Sequence, residues 1–441
     1  MARDDTTCRL KRPVYLVDGA RSPFLKARGR PGPFHAADLA ARTAIPLLLR
    51  QPFEPGALDE VILGCVMPGP DEANIARVVA LRIGCGERVP AFTVQRNCAS
   101  GLQALDTAAR HIADGCADLV LAGGVEAMSH APLLFGAAFA AWLGQWRRAR
   151  TLPARLQALA RLRLSALAPV IGLLRGLTDP VVGLSMGQTA ENLATRFDIR
   201  RRDMDAFAMR SHHRLATAQH TGRFDGEIVL LADTEGKAHF LDDGVRPDTH
   251  LEALAKLPPA FDRPFGRVTA GNSAQITDGA AWLVLASEEA VARYDLRPLA
   301  RVLDTQWAGL DPAQMGLGPV HAMAPILARH GLDSPDIDYW EINEAFAAQV
   351  LACLRAWQDP AYCREVLGLE RAFSPIDEAR LNVDGGAIAI GHPVGASGAR
   401  IVLHLARVLA REGGRLGMAS LCIGGGQGGA MLIESTQERQ A

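Results

Sequence analysis

The chain has 441 residues, 49% of them apolar and 22% charged, with a formal net charge of −1. That is the balance of an ordinary globular protein large enough for two or three domains, and it argues against nucleic acid as a partner. The opening MARDDTTCRLKRP has no apolar core of a secretory signal, and no uncharged run reaches the roughly 18–20 residues of a membrane span.

Eight cysteines (Cys8, Cys65, Cys85, Cys98, Cys116, Cys353, Cys363 and Cys422) show neither C-x-x-C spacing nor a Cys/His cluster, so zinc and a disulfide framework are not expected. A reducing, cytoplasmic setting is the expectation. A cysteine with a special role has to be picked out by its neighbours.

In chain order, apolar runs bounded by glycine or polar residues come first: PVYLVDG, DEVILGCV, AFTVQRN and ADLVLAGG. Helix-like patterns lie between some of them, which predicts a layered α/β domain. Cys98 follows the third run in FTVQRNCASGLQAL. A cysteine between a strand and a helix N-terminus faces free N–H groups and the positive end of the helix dipole, which favours thiolate. Two readings stand at this point, a nucleophile and a buried structural thiol.

The segment from Ser129 to Thr178 has no Asp or Glu but seven arginines: Arg147, Arg148, Arg150, Arg155, Arg161, Arg163 and Arg175. Leu152, Leu156, Leu159 and Leu167 recur at roughly helical spacing, which predicts amphipathic helix. Its basic face is either simply solvated or a surface for an acidic partner, anionic lipid or a phosphate-bearing ligand.

A further strand, AAWLVLAS, lies at Ala280–Ser287, and the last third adds DYWEINEAF, GAIAIGHP and GRLGMASLCIGGG. Asn343, after an apolar strand, is either the N-cap of the next helix or an amide that fixes a catalytic water. The stretch 97–124 matches 395–426 in order: A-S-G, a helix-like run, a glycine break, an apolar strand and a glycine cluster. Such self-similarity predicts two duplicated halves. His392 stands just ahead of the second A-S-G, where Cys98 stands ahead of the first, which favours a catalytic histidine able to take the cysteine's proton. Cys422 is a second thiol on a glycine-rich turn whose N–H groups can stabilise an oxyanion.

Taken together, NCASGLQAL, GGVEAMS, VTAGNSAQITDGAA, NEAFAAQ, GGAIAIGHPVGASGAR and LCIGGGQGG resemble the thiolases, in the family's order and over essentially the whole chain. The resemblance implies an α/β thiolase fold, two αβα halves in a five-layer αβαβα arrangement with an inserted loop domain. The corresponding divisions are residues 1–128 with 262–297, a loop domain at 129–261, and residues 298–441. It implies acyl transfer between coenzyme A thioesters, with coenzyme A as substrate and no cofactor or metal. Cys98 matches the acyl-carrying nucleophile, His392 the base that also polarises a carbonyl, Cys422 the acid/base at the acetyl α-carbon, and Asn343 the holder of an oxyanion-hole water. The N–H groups of Cys98 and Gly424 match a second oxyanion hole. Met186 and Met315 match acyl-pocket methionines, or are flexible core filler. Ser273, Ala274, Ala345 and Phe346 fall at substrate-contacting positions, although Ala274 stands where the family has a CoA-contacting serine and Ser185 where many short members have histidine.

The inserted lengths resemble longer thiolases, including the β-subunit of the mitochondrial trifunctional complex and its bacterial counterparts, whereas Asn343 and CIGGGQGG lean toward the short-chain type. The expected reaction is thiolytic cleavage of 3-ketoacyl-CoA in fatty-acid β-oxidation. The alternatives are an acetoacetyl-CoA-forming acetyltransferase and, in another class, a non-catalytic lipid-binding relative. Expected partners are acyl-CoA and CoA, a second copy in a homodimer or homotetramer, a hydratase/dehydrogenase α-type subunit, and a membrane surface met by the basic loop domain.

Overall fold

Short runs rich in Val, Ile, Leu and Ala, broken by glycine, suit buried strands, and most of those runs become strands. The structure, a computed structural model, describes residues 10–437; Cys8 lies outside them. Its ten-stranded mixed sheet consists of β1 (Val14–Arg21), β2 (Leu25–Lys26), β3 (Glu60–Gly64), β4 (Ala91–Val94), β5 (Leu119–Ala127), β6 (Thr277–Ser287), β7 (Ala300–Gly309), β8 (Tyr339–Ile342), β9 (Leu416–Ile423) and β10 (Gln427–Ser435). Their order is β8-β9-β10-β7-β1-β6-β5-β3-β4, with β2 beside β6.

The seam at the middle is narrow: β1 and β7 share the pairs Val14↔Val302, Tyr15↔Arg301 and Leu16↔Ala300. On either side the topology repeats. Leaving β2 aside and counting within each half, the first half reads 3-2-4-5-1 from its outer edge and the second 2-4-5-1. In both, the fifth strand runs antiparallel to the fourth. The second half's third strand is reduced to one parallel bridge, Trp340↔Leu381.

Four helices position the site: α1 (Ser100–Ala113), α2 (Met186–Arg196), α3 (Ala347–Gln358) and α4 (Val394–Glu412). Because side chains alternate along a strand, each half-sheet has two faces to cover. On β6, Ala281, Leu283 and Leu285 join α1 and α4 in one cluster, which also takes Ala419, Leu421 and Met431 from the other half. Ala280, Trp282, Val284 and Ala286 face the opposite way, onto the helices Ala36–Leu49 and Ile75–Arg82. The outer face of the second half, with Met418 and Leu432, is covered by α2, α3 and the helix Gly318–His330. The layers are therefore αβαβα, with α1 and α4 as the shared central layer.

Glycines set how close that central layer packs. A Cβ at Gly101 would lie 2.8 Å from Gly395 O and from Ala399 N, and one at Gly398 would lie 2.5 Å from Leu102 N. The two A-S-G motifs therefore face each other, backbone to backbone. Between Met128 and Thr277 the chain leaves the main sheet and forms helices, loops and two small two-stranded sheets, Leu133–Phe135 with Pro169–Ile171 and Leu231–Ala232 with Ala238–His239.

Buried ion pairs tie this excursion to α4. Arg21 bridges Glu227 at 2.6 Å and Asp242 at 2.7 Å, while His404 reaches Glu227 at 2.8 Å and Asp384 at 3.3 Å. Burial alone would lower the His404 pKa, but Glu227 and Asp384 outweigh it and push it up to about 10.

One expected strand is not a strand. Ala387–Ile390, inside GAIAIGHP, forms a single helical turn, with Ile390 N–H donating to Gly386 O at 2.9 Å. A four-residue apolar run carries no periodicity that separates a buried strand from a buried helical turn.

Two measurements test these contacts. Replacing Gly398 with Ala should lower the unfolding free energy in urea by about 1–3 kcal/mol through overpacking; an unchanged midpoint would mean the helices separate freely. The His404 contribution has a raised folded pKa, so it is fully present below the ordinary value of 6.5 and lost as pH rises through about 10. His404→Gln should flatten the decline of stability across that alkaline window.

Candidate active site

Cys98 lies in the turn from β4 into α1, directly after Asn97, whose φ of +45° is a left-handed value that asparagine tolerates better than most residues. Ser100 Oγ pins this turn by donating to Asn97 O at 2.7 Å and accepting from Arg96 N–H at 2.9 Å. Asn97 Nδ2 donates to Gly424 O at 2.8 Å, locking the nucleophile's turn to the glycine turn between β9 and β10. The N–H groups of Gly424 and of Cys98 itself face the sulfur, yet burial outweighs both and raises the Cys98 pKa. The helix-terminus pull toward thiolate is thus outweighed by desolvation of the sulfur.

His392 follows Gly391, whose φ of +112° ends the short helical turn where a Cβ would strike Thr277. Its Nδ1 lies 2.6 Å from Ser397 Oγ, and Ser397 donates its one hydroxyl proton to Pro393 O at 3.1 Å. Ser397 must then accept from Nδ1–H, which leaves Nε2 unprotonated and available as a base. Burial first, and then Arg400, lower the His392 pKa to about 4, so the ring is neutral at pH 7. Arg400 is held 2.9 Å from Glu341.

Asn343 is fully buried, and its Oδ1 has no hydrogen-bond partner among the described residues. Its Nδ2 lies 3.5 Å from His392 Nε2. The N-cap reading fails, because α3 begins at Ala347 with Phe346 as its cap. An unpartnered buried amide oxygen beside the imidazole has the chemistry of a water holder.

Cys422, at 1% exposure near the end of β9, has its pKa raised well above the ordinary value, by burial first and then by Cys98 and Cys353. It is a thiol, able to donate a proton. Met186 Sδ would lie 3.2 Å from a Cβ at Gly424, so the missing side chain keeps that N–H clear beside the pocket.

These groups adjoin a cavity of about 430 Å³ whose lining includes Met67, Cys98, Met128, Leu177, Met186 and Gly424. His392 and Cys422 are buried two residues along the chain from the lining residues Val394 and Gly424, and buried Asn343 lies 3.5 Å from His392. Met186 lines this cavity; Met315 is not in its lining and is 3% exposed in the core cluster against which Met186 packs. Ser273, Ala274, Ala345 and Phe346 do not line the cavity either. Ser273 Oγ donates to Thr269 O at 2.7 Å and Ala274 N–H to Ala345 O at 2.9 Å, while Phe346 packs edge-on to Phe261. Their bonds join two loops to each other.

Sequence reasoning missed the residues that support the site. Buried Glu126 accepts N–H bonds from Val66 at 3.0 Å, Met67 at 2.9 Å and Gly395 at 3.1 Å, joining the cavity wall to the first turn of α4. Burial raises its pKa to about 7. An acid inside the otherwise apolar LVLAGGVEA of β5 was the available signal. Glu344 likewise accepts from Ser211 Oγ at 2.6 Å and Asn382 Nδ2 at 2.9 Å. Among the described residues no His/Cys/Asp/Glu group is arranged to hold a metal ion.

The protonation states have a direct test. Alkylation of Cys98 by iodoacetamide should keep accelerating as pH rises through 9. A plateau below neutrality would reveal a resting thiolate–imidazolium pair instead.

Against known proteins, residues 14–289 match the family model for the thiolase N-terminal domain and 296–435 that for the thiolase C-terminal domain. The beta-ketoadipyl-CoA thiolase of Pseudomonas aeruginosa is 43% identical over 431 residues, covering 96% of this chain and 100% of that protein. The mitochondrial 3-ketoacyl-CoA thiolase of Bos taurus is 38% identical, covering 97% and 99%. The crystal structure of human mitochondrial 3-ketoacyl-CoA thiolase in complex with CoA superposes with a TM-score of 0.83 at 37% identity, covering 97% of this chain and 99% of that one. Sequence and fold agree over nearly the whole length, and the chain belongs to the thiolase family.

Proposed function

We propose that the chain cleaves 3-ketoacyl-CoA with CoA, giving acetyl-CoA and a shortened acyl-CoA, in fatty-acid degradation. The observation that carries this reading is that Cys98 and Gly424 line one cavity, their turns tied by the bond from Asn97 Nδ2 to Gly424 O at 2.8 Å, with Cys422 two residues before Gly424.

His392 Nε2 takes the Cys98 proton as the sulfur attacks the 3-keto carbon. The oxygen charge that develops lies against the N–H groups of Cys98 and Gly424, each such donor typically lowering the barrier by about 3–4 kcal/mol. The bond between the α- and β-carbons then breaks, and its electron pair becomes an enolate on the acetyl-CoA thioester. Protonated His392 and a water held by Asn343 stabilise the enolate oxygen, and Cys422 delivers a proton to carbon. The acyl group remains on Cys98 as a thioester until free CoA enters; the Cys422 thiolate takes the CoA thiol proton as that sulfur attacks the thioester, and His392 returns its proton to the departing Cys98 sulfur, which restores all three groups.

The cavity favours an alkyl chain, because methionine, leucine and valine side chains dominate its lining. A second reading rests on Arg175, which also lines the cavity and forms no ion pair among the described residues. Several relatives are named beta-ketoadipyl-CoA thiolases, and a guanidinium there would suit a substrate whose acyl chain ends in carboxylate.

Cys98→Ser should abolish acyl-enzyme formation, read by mass spectrometry after incubation with acetyl-CoA, and Cys422→Ser should cut kcat by about 10²–10⁴. Persistent labelling of Cys98→Ser would overturn the nucleophile assignment. Comparing kcat/KM for acetoacetyl-CoA, 3-ketodecanoyl-CoA and 3-oxoadipyl-CoA separates the substrate readings. Preference for the ten-carbon substrate supports the first, and a dicarboxylate preference lost in Arg175→Gln supports the second. A strong preference for the four-carbon substrate removes both.

A further inference from the structure

Strand β8 ends at Ile342 and α3 begins at Ala347, so Asn343 stands on irregular backbone between them. Its own side chain does little to hold it: Oδ1 is unpartnered among the described residues, and Nδ2 is 3.5 Å from His392 Nε2. The amide is therefore aimed by the backbone that carries it. Upstream, Asn382 bonds both the N–H and the C=O of Ile342 at 2.9 Å, and Asn343 N–H donates to Ser420 O at 2.9 Å. Downstream, the pin is the side chain of Glu344.

Glu344 is 2% exposed, and donors from three separate segments meet its carboxylate. Oε1 accepts from Asn382 Nδ2 at 2.9 Å, while Oε2 accepts from Ser211 Oγ at 2.6 Å and from Ile388 N–H at 3.3 Å. Ser211 lies on the helix Arg201–His220, and Ile388 lies in the single turn that leads to Gly391 and His392. Gly386 N–H donates to Ser211 Oγ at 3.1 Å, and a Cβ at Gly386 would lie 2.6 Å from both carboxylate oxygens. Glycine at that point lets the carboxylate reach the turn. An amide in its place keeps one acceptor and turns an NH2 group toward the remaining donors, so either Asn382 or Ile388 loses its partner in a buried site.

His392 has anchors of its own, since Nδ1 meets Ser397 Oγ at 2.6 Å and its N–H donates to Gln275 O at 3.0 Å. Asn343 is the group whose place depends on Glu344. We propose that Glu344 is a positioning residue for the oxyanion water, fixing where the Asn343 amide stands relative to His392 Nε2. This role rests on the proposed thiolytic function, in which that water stabilises the enolate oxygen. It is confined to steps that make or consume an enolate. Transfer of an acetyl group from acetyl-CoA to Cys98 forms none.

The test is a double-mutant cycle read in two assays, thiolysis of acetoacetyl-CoA and acetylation of Cys98 by acetyl-CoA followed by mass spectrometry. Glu344→Gln should lower kcat for thiolysis about tenfold to a hundredfold. The KM for CoA and the rate of Cys98 acetylation should stay within about twofold of wild type. Added to Asn343→Ala, the same change should cost almost nothing further, because the group it positions is gone. A merely structural role would slow both assays alike and multiply with Asn343→Ala; either result overturns the proposal, as does an unchanged kcat in Glu344→Gln. Should Glu344→Gln fold poorly, Ser211→Ala removes one of the three bonds and should show the same selectivity at about threefold to tenfold; equal slowing of both assays, or of neither, overturns the proposal there too. Failure of the thiolytic reading looks different: wild-type protein would then neither acetylate Cys98 nor cleave acetoacetyl-CoA, and the role of Glu344 would fall with it.

Discussion

The close approach of α1 and α4 is the constraint on which the site depends. Gly64 and Gly124 of the first half-sheet lie against Ser100 and Gly395, and Gly101 and Gly398 let the two helices touch through their backbones. A side chain at any of these points would push one half away from the other. Cys98 precedes α1 and His392 precedes α4, so their separation is set by the packing of the helices behind them. Glu126 adds a polar tie at the same place, from the cavity wall to Gly395 N.

The reacting groups are kept free of formal charge while charge is concentrated nearby. Burial holds Cys98 and Cys422 as thiols and His392 as a neutral ring. The nearest cation on α4, Arg400, is occupied by Glu341, and the larger network of Arg21, Glu227, His404 and Asp384 meets that helix one turn further on, at its middle. Charge at the site therefore arises during reaction, where fixed N–H dipoles meet it without reorganisation.

The duplication was legible because its signal is order, with A-S-G, helix, strand and glycines appearing twice. Cys98, His392 and Cys422 were legible because each stands at a break between an apolar run and glycine. What escaped depends on contacts between distant segments. Nothing local shows that desolvation at Cys98 exceeds the pull of its amide neighbours. Nothing local shows that Ser397 fixes the His392 tautomer, or that Met315 turns into the core while Met186 turns to the cavity. The cap reading of Asn343 stayed open beside the water-holding one because asparagine often caps a helix, and only the structure shows that the chain runs three residues further before α3 begins.

The single bridge that stands for the third strand of the second half has a wider meaning. In the first half that strand leads directly through Asn97 to Cys98. In the second, Asn382, also at positive φ, comes after Leu381 and binds Ile342 and Glu344 instead. The chain from Asn343 to His392 is thereby released from the sheet to supply an amide and an imidazole. Repetition built the frame and its local loss built the chemistry. On the proposed mechanism neither half could act as an enzyme by itself, since one holds the nucleophile and the other every group that moves its protons.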